Sequence, residues 1–191
     1  MRSMMAVSLC VWLTSVATAQ PKKDIVDPKE PPRRFGLRQF PELYPQDSPK
    51  NALYSVLRAM DKDRYDYLVA HLLEPGYVNE QLAIGYPLFE KQAREIVEKE
   101  QLARKGFDRE FIVNRIRDLA NQKNVDNLVQ RIRTKIDNDP EVLRDFKRML
   151  REGSFEDAGE TSVGKLKDAK DRALYFKRVG ARWYVENKMQ D

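Results

Sequence analysis

ALYFKRVGARWYVENK, residues Ala173 to Lys188, decides the fold class. Gly180-Ala181 stands between two runs rich in aromatic and β-branched residues. Glycine at the first of two central positions marks a type II′ hairpin turn. A two-residue turn fixes the register. Val179 then pairs with Arg182, Arg178 with Trp183, Lys177 with Tyr184, Phe176 with Val185, Tyr175 with Glu186 and Leu174 with Asn187. Alternation puts Leu174, Phe176, Trp183 and Val185 on one largely apolar face and leaves the other face amphipathic. The apolar face has to be covered by something.

The cover is upstream. Thr161–Leu166 reads as a neighbouring strand and Phe155–Ala158 as a short edge strand. Before Gly153 the apolar period is helical. Ser48-Pro49 is an N-cap followed by proline at the first helical position, and Ala52, Leu53, Val56, Leu57 and Met60 follow at helical spacing. Asp61–Asp63 breaks that run. A second short helix carries Tyr65, Leu68, Val69, Leu72 and Leu73 and ends at Glu74-Pro75-Gly76, so Asn51–Leu73 reads as an αα-hairpin. Val78–Ile84 reads as a turn or two of helix before Gly85-Tyr86-Pro87. Leu88–Lys105 is amphipathic through Phe89, Ala93, Ile96 and Val97, and Gly106 stops it. Asp108 caps the next helix, which Asn121–Asn124 interrupts. Val125, Leu128, Val129, Ile132 and Ile136 continue the pattern, in the same helix or a new one. Asp139-Pro140 starts a last helix whose Leu143, Phe146, Met149 and Leu150 face inward, with Gly153 as a left-handed stop. The expected fold is α+β: a helix-rich N-terminal and middle part packed on a small antiparallel C-terminal sheet that ends in a hairpin.

Further outward, the chain opens with Arg2, an uncharged apolar stretch from Met4 to Val16, and Ala17-Thr18-Ala19. That is the pattern of a secretory leader, too short for a membrane span. It predicts cleavage before Gln20 and an exported, periplasmic or secreted mature chain with no transmembrane segment. Cys10, the one cysteine, lies inside the leader. Leu9 before it and the apolar run beyond it argue against a lipidation site. The cleaved chain then has no disulfide and no thiolate chemistry. Gln20–Asp47 holds six of the ten prolines and reads as a tether. Its second half, rich in Phe35, Leu37, Phe40, Leu43 and Tyr44, is expected to lie extended against the domain. The division is a leader at 1–19, a proline-rich tether at 20–47 and one domain at 48–191, helical over 48–152 and sheet over 153–189.

The opening segments Ala52-Leu53-Tyr54-Ser55-Val56-Leu57-Arg58-Ala59 and Asp66-Tyr67-Leu68-Val69-Ala70-His71-Leu72-Leu73 resemble the first helices of nuclear transport factor 2-like (SnoaL-like, cystatin-like) domains. Tyr175 to Asn187, with its glycine turn and Gly-x-x-Trp, resembles their last hairpin. The resemblance implies a cone with an internal pocket, acid–base residues in that pocket for the enzymes among them, and export for many bacterial members. The helical stretch Leu88–Arg151 departs from the pattern.

Chemistry is sparse. His71 is the sole histidine. As a general base it needs an orienting carboxylate, and Asp66 and Glu74 are the neighbours on offer; the plainer reading is a helix histidine, partly buried or at the surface. Zinc needs more ligands than His71. Asp61, Asp63 and Asp66 lack the central glycine and the twelfth-position acid of a calcium loop. No nucleophile elbow, phosphate loop or dinucleotide fingerprint occurs, and no cofactor is expected. Tyr175, Trp183 and Tyr184 are the candidate pocket aromatics, with core and rim packing as the plainer reading.

The net charge of +5 is spread among interleaved acids and bases. Arg131, Arg133, Lys135, Arg144, Lys147, Arg148 and Arg151 form the densest basic stretches, read as solvated helix faces or as a patch for acidic cell-surface polymer. Nucleic acid is not expected as a partner. These features predict a secreted, non-catalytic binding or protein-interaction module whose partner is a protein or an envelope component. The alternatives are a small SnoaL-like enzyme using His71, or a binder of acidic polymer.

Overall fold

The computed structural model describes residues 33–103, 108–167 and 169–186. The leader with its cleavage site, the first half of the tether up to Pro32, the stop at Gly106 and the hairpin end at Asn187–Lys188 lie outside them. The class is α+β. Four antiparallel strands, β3 (Ser154–Ala158), β4 (Thr161–Leu166), β5 (Ala169–Val179) and β6 (Arg182–Glu186), form a meander in sequence order. The hairpin register from Tyr175↔Glu186 to Val179↔Arg182 is the one that the turn dictates. Gly180 has φ +62°, as a primed turn requires. Leu174, Phe176, Trp183 and Val185 are all buried.

Helix α1 (Pro49–Asp61) packs on β6, and α5 (Pro140–Glu152) packs on β4 and on α1. Their caps are those of the sequence. Ser48 Oγ accepts from Asn51 N–H at 3.1 Å, and the Asp139 carboxylate accepts from Val142 N–H at 3.3 Å. Asp108 holds the N-cap position of α4 without a side-chain cap bond. Gly153 departs from expectation: its φ is −70°, so it is no left-handed stop. A Cβ there would meet the Met149 carbonyl oxygen at 2.5 Å, so glycine is required for room at the helix end.

The second helix is α only over Tyr65–Tyr67 (α2) and widens into a π-turn over Leu68–Leu72, with Leu73 N–H reaching back to Leu68 O at 3.0 Å. Glu74-Pro75-Gly76, expected as a terminator, is also a start. Pro75 opens α3 (Pro75–Ala103), which runs unbroken through Gly85-Tyr86-Pro87. Likewise α4 (Arg109–Asp137) passes through Asn121–Asn124 without interruption. One contact reconciles both corrections. Asn124 is buried, its Nδ2 donates to Leu82 O at 2.7 Å, and its Oδ1 lies 2.4 Å from where a Gly85 Cβ would stand. The glycine admits the amide, and the amide ties the two helices together. Farther along the pair, Ala93, Val97, Ile116 and Ala120 make a small core of their own.

Within the stretch read as tether, Arg33–Asp47 is folded against the domain, the side on which its apolar residues were expected to lie. A short hairpin, β1 (Arg33–Arg34) and β2 (Leu37–Arg38), turns at Phe35 and Gly36, both at positive φ. Tyr44 then stacks on Tyr67 with ring centroids 4.2 Å apart. Gln46 is buried and its Nε2 donates to His71 O and Trp183 O. Trp183 N–H donates to Gln46 O at 2.8 Å, and Glu74 N–H to Val185 O at 2.9 Å. The free edge of β6 is thereby covered by two passing segments, which removes a site for unwanted strand pairing. Among the described residues no helix is long and apolar enough to cross a membrane.

Candidate functional site

Beneath the sheet the packing leaves a cavity of about 270 Å³. Its walls come from most of the elements around the core. Val56 and Met60 project from α1, Leu68 and Leu73 flank the π-turn, Ile132 and Ile136 come from α4, Val142 and Phe146 from α5, and Leu174 and Val185 from the sheet. Lys135 and Asp139 stand at its α4–α5 side, both exposed. Protein interiors leave few voids larger than a water molecule. Were this one sealed and empty, about 24 cal/mol per Å³ would make it cost about 6 kcal/mol. That is comparable with the roughly 5–15 kcal/mol that holds a whole domain together. The cavity opens to solvent, which lowers that cost; most of its wall is apolar, with Tyr77, Tyr175 and Glu186 as its other polar members.

His71 is not in this cavity. It is buried, and its Nε2 lies 3.0 Å from Leu37 O. A carbonyl only accepts, so Nε2 carries the proton and donates. Its ring leans on Tyr67 with centroids 4.9 Å apart. Burial, seconded by the nearby Arg34 and Arg182, pushes its pKa below the ordinary value. Neither expected carboxylate orients it. Asp66 pairs with Arg64 at 2.9 Å. Glu74 caps α3, accepting from Tyr77 N–H at 2.5 Å and from Lys177 Nζ at 3.3 Å. Burial pushes the Glu74 carboxyl up, but these donors with Gly76 N–H outweigh it and hold the pKa below the usual range. His71 is thus a structural residue that ties β2 to the π-turn. Arg34 does the same from the other side, donating to Ala70 O, Pro75 O and Asn79 Oδ1, and burial lowers its pKa.

Of the three candidate aromatics, only Tyr175 lines the cavity. Trp183 is core, and Tyr184 pairs with Lys177 on the opposite sheet face. The basic residues do not form one bare face. Arg133 pairs with Asp63 at 3.0 Å and lies over the Tyr65 ring. Arg144 pairs with Glu141 at 3.3 Å, Lys147 with Asp61 at 3.5 Å and Arg148 with Glu152 at 3.1 Å. Arg131 donates to Gln81. Arg151 is exposed on the last turn of α5.

A second concavity, of about 540 Å³, lies among Phe35, Tyr86, Asn79 and Asn124. Two of its three amides are engaged, Asn79 with Arg34 and Asn124 with Leu82; the third is the exposed Asn121. No group of three or more metal-ligating side chains occurs among the described residues. The cavity itself escapes sequence reading because its walls are the same apolar positions that make a core, and Lys135 reads there only as part of a basic stretch. Comparison with protein-family models, curated proteins and solved structures gives no match.

Proposed function

We propose that this chain is an exported, non-catalytic binding module of the nuclear transport factor 2-like kind, holding a small apolar molecule between its sheet and its helices. The observation that carries the reading is an apolar cavity beneath the sheet, with the one histidine outside it. The enzyme alternative that uses His71 as base would need that histidine facing the ligand. His71 instead spends its proton on Leu37 O and is kept neutral by burial. The acidic-polymer reading is weaker, because Arg133, Arg144, Lys147 and Arg148 are matched by carboxylates. Export rests on the leader pattern, and mass spectrometry of the native protein should find Gln20, free or cyclised, at the N-terminus.

The binding reading is tested with an apolar fluorescent probe such as an anilinonaphthalene. It should bind the folded chain in a saturable manner. Val142→Trp, which puts an indole at a half-exposed wall position, should abolish that binding while leaving the melting temperature equal or higher. Equal probe binding by both proteins would overturn the reading.

A further inference from the structure

We infer that the concavity between the 33–38 hairpin and the α3–α4 pair is a binding site for a neutral saccharide. It shares no residue with the cavity beneath the sheet, so neither reading depends on the other. The first observation is Phe35. Phe35 and Gly36 both have positive φ, at +53° and +78°, the geometry of a type I′ turn. Asparagine, aspartate or glycine fills such a turn without strain, whereas a bulky side chain at positive φ is an outlier. Core packing does not account for the exception. The ring is 38% exposed and belongs to neither core cluster; it lines the concavity instead. The Arg34 guanidinium lies over the ring at 4.9 Å and occupies one of its two faces. The other is the face that a ligand can use. Strained residues of this kind cluster at ligand clamps and other functional sites.

The second observation is the chemistry around that ring. Charged residues make up 34% of the chain, yet none of the residues lining this concavity is charged. Arg34, bonded to its wall through Asn79, is already served by three acceptors. Hydrogen-bonding groups are nevertheless present. Asn79 meets a donor-only guanidinium through Oδ1, so its Nδ2 hydrogens remain as donors. The amide of the exposed Asn121 and the hydroxyl of Tyr86 can each donate and accept. Pro87 has no N–H, so Ala83 O, on the wall, lacks the donor that an α-helix supplies four residues on. A sugar ring matches this set. Its C–H face packs on an aromatic ring, and its hydroxyls donate and accept without charge. An ionic ligand finds no counter-charge on this wall. A hydrocarbon displaces water from these polar groups and gives them no partner in return.

The test titrates cellobiose, maltose and diacetylchitobiose to about 10 mM into the isotopically labelled full chain and follows it by NMR. At least one should shift the side-chain amide signals of Asn79 and Asn121 in a saturable manner. Phe35→Asn should weaken that binding about three- to tenfold while melting at the same temperature or higher, because asparagine tolerates the turn. Asn121→Ala should weaken it by a similar factor, about three- to tenfold, and also keep the melting temperature, since alanine suits an exposed helix position. Added salt should leave the affinity unchanged. The site is refuted if no disaccharide shifts these signals, or if Phe35→Asn binds like its parent. A lower melting temperature for Phe35→Asn would show that the ring serves the hairpin and would overturn the reading of its strain. If glucuronate binds more tightly than every neutral sugar and salt weakens it, the neutral class is wrong. If a proline-rich peptide shifts the same signals and no sugar does, the concavity is a peptide site and the saccharide assignment falls.

Discussion

Replacing Gly85 by alanine should destabilise this protein, although the same exchange in an ordinary helix stabilises it. Gly85 lies inside α3, where alanine is favoured over glycine by about 0.5–1 kcal/mol. The new Cβ would stand 2.4 Å from Asn124 Oδ1, closer than any real contact. The amide must move, and moving it breaks the 2.7 Å bond from Nδ2 to Leu82 O at a buried residue. Leaving such a group unsatisfied costs about 1–3 kcal/mol. The difference is a net loss of about 1–2 kcal/mol, or about 2–8 °C in melting temperature for a chain of this size. The sign is the test. In an Asn124→Ala background the obstruction is gone, and Gly85→Ala should then stabilise by about 0.5–1 kcal/mol. A double-mutant cycle from urea unfolding of the four proteins reads the coupling directly. Coupling within about 0.5 kcal/mol of zero, or a Gly85→Ala single variant more stable than its parent, would refute the account of how α3 and α4 stay continuous.

The remaining predictions concern the core face, the buried histidine and the strap. Trp183→Ala should cost about 3–5 kcal/mol, about 6–20 °C, and half-exposed Tyr184→Ala clearly less; calorimetry showing the reverse order would mean that the core face is misassigned. His71→Ala should also destabilise, by about 1–3 kcal/mol, because it strips Leu37 O of its buried donor; an unchanged urea midpoint would argue against that bond. The His71 pKa is lowered on folding, so the unfolded chain binds the extra proton first. Stability should be complete above His71's ordinary 6.5 and should fall as pH drops from there toward the lowered folded value. His71→Gln should flatten that slope, and a slope unchanged in the variant assigns it elsewhere. Below about 4.5 a separate loss should begin as Glu74 and then Asp66, both held low in the fold, take up protons. Arg34→Ala should expose the 33–38 hairpin to protease before any cut within α1, since it removes three hydrogen bonds to Ala70, Pro75 and Asn79.

What the sequence made legible follows from the range of the forces involved. The β5–β6 register depends on two turn residues and on alternation, both local, and it is found pair for pair. The caps at Ser48 and Asp139 are local as well. The continuity of α3 through 84–88 and of α4 through 121–124 is hidden from the sequence for one reason. Gly85, Pro87 and Asn124 are each breakers by propensity, and propensity is a weak prior that packing overrides. Asn124 stabilises a helix here because its amide has a carbonyl to serve 42 residues away, which no window of sequence contains.

The same limit decides the site. His71 invites a catalytic reading because histidine is rare in this chain and Glu74 follows it at helical spacing. The π-turn removes that spacing: the chain leaves the helix at Leu73 with ψ 151°, and Glu74 turns to cap α3 instead. What then surrounds His71 comes from 34 to 37 residues upstream, Leu37 as acceptor and Arg34 as repelling neighbour. A charged imidazole is disfavoured there, and the neutral one has its proton engaged. The apolar cavity shows the converse. Each of its walls is locally indistinguishable from core, and only the failure of α1, α4 and α5 to close on Leu174 and Val185 makes it a space. A residue's role in this protein is therefore set by what the fold brings opposite it: a carbonyl that engages the proton of His71, and an unfilled volume that makes cavity walls of Leu174 and Val185.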